Sequence, residues 1–135
     1  MTAYSSTPLA KKLGFKENYK IQIVNKPKHY FQWFEELPDG QEEIEKAKQA
    51  ELDFIHLFCH SQKDLEKDFL NSKSQLKKSG MLWISWPKKS SKIETDLSGD
   101  HVRKYGLQNG LVDVKVASVN VIWSGLKFMY RLVDR

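Results

Sequence analysis

Cysteine is almost missing from this chain of 135 residues. Cys59 stands alone, so no internal disulfide can form, and no Cys/His group has the spacing of a zinc site. No metal site is expected. The longest apolar runs, such as Met81 to Trp86, are far too short to span a bilayer. The segment Met1 to Ala10 is polar and lacks the basic-then-apolar pattern of a secretory leader. A cytoplasmic location without membrane contact is therefore expected by elimination. There is no repeat or low-complexity tract, and Gly40 and Gly80 are the plain punctuation in the middle of the chain.

What the chain has is a core. Hydrophobic residues make up 40%, with seven Phe, five Tyr and four Trp. That composition is globular and excludes disorder. At 135 residues the length suits one domain, with 1–18 as a helical lead-in and 19–135 as the sheet core. A chain of this size buries roughly two-thirds of its unfolded surface, enough to hold a core without staples.

Charge is distributed unevenly. The net charge is +5 and the pI is about 9.2. Lysines gather at 11, 12, 16 and 20, at 26 and 28, and at 77, 78, 88, 89 and 92, whereas acid gathers between Glu35 and Glu51. The molecule is dipolar, and the plain reading is solvated surface.

Periodicity supplies the elements. Thr7-Pro8 can open a short helix that Gly14 closes. Tyr19 to Val24 alternates as a first strand, ended by Asn25-Lys26-Pro27. Tyr30, Trp33, Phe34 and Leu37 share one helical face, and Pro38-Asp39-Gly40 turns the chain. Glu42 to Glu51 is a weak helix or an irregular edge. Asp53 to Cys59 is nearly all large apolar residues, as in a strand covered on both faces. Ser61 and Asp64 open a long helix with inner stripe Leu65, Phe69, Ser72 and Leu76, closed by Gly80. Met81 to Trp86 forms a central strand stopped by Pro87, and Ser98 to Tyr105 a short helix ended by Gly106. Strands over Leu111 to Val119 and Leu126 to Val133 make a closing hairpin. The fold class is α/β: a three-layer, Rossmann-like, mostly parallel sheet of about five strands ending in an antiparallel hairpin.

Four stretches together resemble a bacterial family of small proteins grouped as a domain of unknown function. They are Tyr4-Ser5-Ser6-Thr7-Pro8-Leu9-Ala10-Lys11-Lys12-Leu13-Gly14, Met81 to Lys89, Gly110 to Val116 and Trp123 to Phe128. The resemblance spans nearly the whole chain and implies no activity. A broader similarity is to class I methyltransferases, carried by Leu76-Lys77-Lys78-Ser79-Gly80 before an apolar strand and by the closing hairpin. It implies strand order 1-2-3-5-4. Those enzymes have a glycine-rich loop after the first strand and an acidic tip on a second; here the first strand ends Asn25-Lys26-Pro27-Lys28, and no second acidic strand is visible. No cofactor is expected on this reading.

In open α/β sheets ligands bind at the carboxyl ends of the strands. Those ends are Asn25-Lys26, Cys59-His60-Ser61, and Trp86-Pro87-Lys88-Lys89-Ser90-Ser91, with Asp96 close behind. Two lysines and two hydroxyls on one loop could hold an anion such as phosphate. No phosphate-cradling glycine motif accompanies them, and a solvated lysine loop is the bland alternative. On the hairpin, Asp113 and Lys115 oppose Lys127 and Arg131, either as cross-strand ion pairs or around a ligand. Trp123 beside them can stack a ring or plug the core. Cys59 and His60 adjoin, but alternating strand geometry points them apart. His56 reads as an interior, hydrogen-bonded histidine. Asp96 and Asp100 read as loop and helix-start residues, and no carboxylate pair has acid/base spacing. No catalytic residue is assigned.

The sequence thus favours a non-catalytic accessory domain holding a small anionic or nucleotide-like ligand, or a protein partner, and leans away from an enzyme. The alternatives are a reduced methyltransferase-like enzyme and a nucleic-acid-binding protein. The acid between Glu35 and Glu51 counts against a continuous basic groove.

Overall fold

A computed structural model describes residues 7–135; Tyr4, Ser5 and Ser6 of the first resembling stretch lie outside them. The elements are α1 (Leu9–Leu13), β1 (Lys20–Val24), a 3-10 turn at Tyr30–Trp33, β2 (Glu42–Glu43), β3 (Leu52–Phe58), α2 (Gln62–Gln75), β4 (Leu76–Pro87), α3 (Gly99–Gln108), β5 (Leu111–Ser118) and β6 (Trp123–Tyr130). They build one six-stranded sheet of order β2-β1-β3-β4-β6-β5. β2, β1, β3 and β4 pair in parallel, and β6 runs antiparallel to both β4 and β5. The expected five strands stand in the order 1-2-3-5-4, with β2 added outside the first.

The near-continuous apolar runs follow from burial on both faces. On one face Ile55, Leu57, Leu82, Ile84, Leu126 and Phe128 meet Leu65 and Phe69 of α2 and Val102 of α3. On the other, Ile21, Ile23, Phe54, Phe58 and Trp83 meet Leu13 of α1, Phe15 and Tyr30. Trp83 is fully buried, and its indole Nε1 donates to Leu13 O at 2.7 Å, tying α1 to the sheet.

Several expected boundaries move. The helix read over Tyr30 to Leu37 is only a 3-10 turn, and Phe34 is already extended. Pro38 disfavours helix at Leu37, and the two turns that remain are too short to stand without tertiary support. The helix at Ser61 stops at Gln75, not Gly80. Leu76 is buried and pairs with Leu52, so β4 starts there. A side chain on Gly80 would press on Leu52 O at 3.0 Å, which suits an extended glycine rather than a helix stop. α3 runs through Gly106, whose bare Cα makes room for the Phe128 ring. Gly110, at φ 92°, turns the chain after it. At α1, Pro8 rather than Thr7 is the residue that immediately precedes the helix.

The hairpin differs most. β6 begins at Trp123, three residues before the expected start. A bulge at Val114 breaks the register between Asp113 and Lys115, so Lys115 faces Lys127 and Asp113 faces Phe128. The expected cross-strand ion pairs do not form. Asp113 pairs instead with Arg103 of α3 at 3.1 Å.

Candidate functional site at the strand tips

The carboxyl ends of β1, β2, β3 and β4 share one edge of the sheet, as the parallel pairing requires. Asn25 follows β1 with φ 58°, a left-handed turn that asparagine tolerates well. Its Nδ2 donates to Phe58 O and to Asp68 Oδ2, both at 3.0 Å, which locks the tip of β1 to β3 and α2. Lys26 Nζ sits 2.8 Å from Glu43 Oε2 and 5.2 Å above the Phe31 ring. Gln22 Nε2 donates to Ile44 O and Glu45 O, pinning the end of β2 against β1.

Two cavities meet at Lys26. One, of about 330 Å³, is lined by Val24, Lys26, Glu43, Ile44, Asn71 and Gln75. The other, of about 450 Å³, is lined by Lys26 to Gln32. Both fall in the size range of small-ligand sites. Gln75 Oε1 is buried with no hydrogen-bond partner among the described residues, leaving an acceptor beside the first cavity.

Glu43 is the residue that sequence reading missed. Only the turn Pro38-Asp39-Gly40 before it hinted that a strand could start there. The two-residue β2 is too short to show periodicity.

The other tips are organised differently. Cys59 is fully buried, and burial, then Asp64 and Asp68, push its thiol up to about 12. It is no nucleophile at neutral pH. His60 is exposed and meets the Trp123 ring edge-on at 5.2 Å. His56 accepts or donates at both ring nitrogens, with Tyr30 OH 2.8 Å from Nδ1 and Ser85 Oγ 2.8 Å from Nε2. Burial pushes its pKa down to about 3, so the imidazole is neutral. Burial and Glu43 push the Tyr30 hydroxyl well above its ordinary value. The three side chains form a buried, uncharged polar chain across the sheet.

Trp86 and Trp123 are both core residues, and Trp123 packs edge-on against Phe58 at 4.9 Å. Lys88 donates its Nζ to Ser118 Oγ and its backbone N–H to Ile122 O. Ser91 Oγ closes its own turn on Lys88 O, and Lys89 and Ser90 are exposed. Asp96 Oδ1 accepts from Gln62 N at 2.8 Å, capping α2 beside Ser61. Lys127 is half-buried; burial, then Lys115 and Lys16, hold its ammonium below the usual lysine range. The structure therefore brings Asn25 and Lys26 together with Glu43. Lys88 and Lys127 face the hairpin side, and Trp86, Ser91 and Asp96 serve local structure.

Solved structures share this arrangement of elements. A SAM-dependent methyltransferase from Aquifex aeolicus matches with TM-score 0.63 at 15% identity, over 90% of this chain and 87% of its own. A DhpI–SAH complex matches with TM-score 0.61 at 8% identity, over 92% and 83%. The tRNA methyltransferase TrmK of Bacillus subtilis matches with TM-score 0.56 at 9% identity, over 91% and 64%. The likeness is one of fold. No protein-family model matches the chain, and no curated protein does. These neighbours overturn the expectation of a non-catalytic accessory domain, and with it the leaning away from an enzyme. Two of these three structures are named as methyltransferases, in line with the methyltransferase-like alternative. Among the described residues no helix is long and apolar enough to cross a membrane.

Proposed function

We propose that the chain is a reduced methyltransferase-like enzyme that binds S-adenosylmethionine at the tips of β1 and β2. The observation that carries this reading is Glu43, a carboxylate at the carboxyl end of β2 and beside the tip of β1. It stands in a fold shared with the Aquifex aeolicus enzyme.

The donor set fits the group. The Glu43 carboxylate can accept both hydrogens of a ribose diol, and Lys26 can balance a carboxylate. Gln75 Oε1, buried and unpartnered at the cavity wall, can accept an N–H. Adenosylmethionine held there would supply an electrophilic methyl group on a sulfonium. The left-handed turn at Asn25 stands where methyltransferases carry glycines, and Pro27 follows it. Side chains at these positions restrict close approach of backbone to ligand, which supports weak cofactor affinity. Asn25 and Lys26 belong to this site. We also read the chain as a member of the bacterial family its four motifs resemble.

Calorimetry with adenosylmethionine and adenosylhomocysteine tests the reading. Wild type should bind both, and Glu43→Gln should weaken binding about tenfold, ~1.4 kcal/mol. Silence of the wild type at millimolar cofactor would end the proposal.

A further inference from the structure

Five lysines converge where α1 meets the β5 edge. Lys12 Nζ donates to Ser118 O at 2.8 Å, and Lys88 Nζ reaches Ser118 Oγ from the end of β4. Lys115 Nζ donates back to Lys12 O at 3.2 Å. The bulge at Val114 sets Lys115 directly opposite Lys127. Burial first, then Lys115, and last Lys16, which follows α1 in the chain, hold the Lys127 ammonium below the usual lysine range.

No carboxylate answers them. The ion pairs among the described residues engage Lys20, Lys26, Lys77 and Arg103 and none of these five. Glu17, next to Lys16 in the chain, pairs with none of them. The acidic segment lies at the opposite edge, around β2. Like charges gathered without counter-charge repel one another, so the arrangement is stabilised when an anion arrives.

We infer that this face binds a nucleic-acid strand through its phosphates. The spacing favours a polyanion over a single phosphate. Lys115 and Ser118 stand three residues apart on β5, about 10 Å, farther than the oxygens of a single phosphate group reach. Lysine ammoniums act as point charges toward phosphate oxygens. The face reaches the strand tips at Ser118 and Lys88, so a strand lying on it ends beside the edge where β1 and β2 terminate. The inference stands without the cofactor reading, because it rests on the other end of the sheet.

The test is fluorescence anisotropy of a labelled 20-nucleotide oligouridylate, without cofactor, at 50 and 200 mM KCl. With about four phosphates neutralised, affinity should fall roughly 50-fold across that salt range. Lys12→Gln/Lys115→Gln/Lys127→Gln should reduce the log–log salt slope by about 2. Lys63→Gln/Lys67→Gln on the exposed face of α2 should leave it unchanged. Should the triple variant fail to fold by circular dichroism, the exposed Lys115→Gln alone should still lower the slope by about 0.7. Oligothymidylate bound as well as oligouridylate supports phosphate recognition; preference for the ribose strand supports RNA. The inference is overturned by no binding at 50 mM KCl, by an unchanged slope in the variants, or by equal losses in the α2 control. It is also overturned if 10 mM inorganic phosphate displaces the strand where chloride of equal ionic strength does not, or if phosphatidylserine vesicles or an acidic peptide bind and the oligonucleotides do not. None of these outcomes bears on calorimetry with adenosylmethionine.

Discussion

Lys26 Nζ lies 2.8 Å from Glu43 Oε2, and this contact joins the tip of β1 to the tip of the two-residue β2. Both side chains are substantially exposed, so the pair itself stabilises the fold little. Its interest is placement: it sets a carboxylate and an ammonium between two cavities.

Separating these roles gives the first prediction. Lys26→Gln and Glu43→Gln should each change unfolding stability by less than ~1 kcal/mol, while Glu43→Gln weakens adenosylmethionine. Chemical denaturation run beside calorimetry checks both halves. A large stability loss in either variant would recast the pair as structural.

The buried chain Tyr30–His56–Ser85 should behave in the opposite way. His56→Ala leaves the Tyr30 hydroxyl and the Ser85 hydroxyl without partners and opens a cavity in the sheet. The expected cost is ~3 kcal/mol or more. Tyr30→Phe, which removes one hydroxyl, should cost ~1 kcal/mol. Urea melts of the two variants give the comparison.

His56 also sets a pH dependence. Its folded pKa is about 3 against an ordinary 6.5, so the unfolded chain takes up a proton that the native imidazole refuses. The contribution is complete above pH 6.5 and is lost as the pH falls from 6.5 toward 3, at up to ~1.4 kcal/mol per unit. Melts of wild type and His56→Gln at pH 7, 5 and 4 should therefore converge toward acid. Parallel curves would refute the assignment.

Cys59 should be silent to thiol reagents in the native state. It is fully buried and its thiol is pushed up to about 12. At pH 8 its modification by an aromatic disulfide should follow the unfolding rate and become fast only in denaturant. Rapid labelling of the native protein would contradict the burial.

Gly106→Ala should destabilise the protein although alanine is the better helix former by ~1 kcal/mol. The new methyl group would meet the Phe128 ring at several atoms. Overpacking of this kind costs ~1–3 kcal/mol, and a lowered melting temperature is the readout.

Most of the central sheet could be read from sequence because its strands are buried on both faces. Asp53 to Cys59 and Met81 to Trp86 carry too few polar residues to be anything else, and their parallel pairing follows from the single helix between them. Features decided by tertiary contact were not legible. Tyr30, Trp33, Phe34 and Leu37 have helical spacing, yet Pro38 and the packing of Tyr30 onto His56 hold the segment as a single turn. The Val114 bulge shifts every later β5 residue to the other face, and no local residue announces it. Glu43 was invisible because a strand of two residues has no period. In the candidate site Asn25 and Lys26 were proposed from the end of β1 alone, whereas the carboxylate beside Lys26, Glu43, required the fold.

The same bulge bears on how the molecule behaves in a crowded solution. β5 is the open border of the sheet, eight residues long, with Val114 and Val116 exposed on it. An unbroken border of that length would be a template for stacking one molecule onto another. The extra residue kinks it into two short pieces, and Lys115 plants a charge at the break. Deleting Val114 would straighten the border, and light scattering should then record self-association that the intact chain resists.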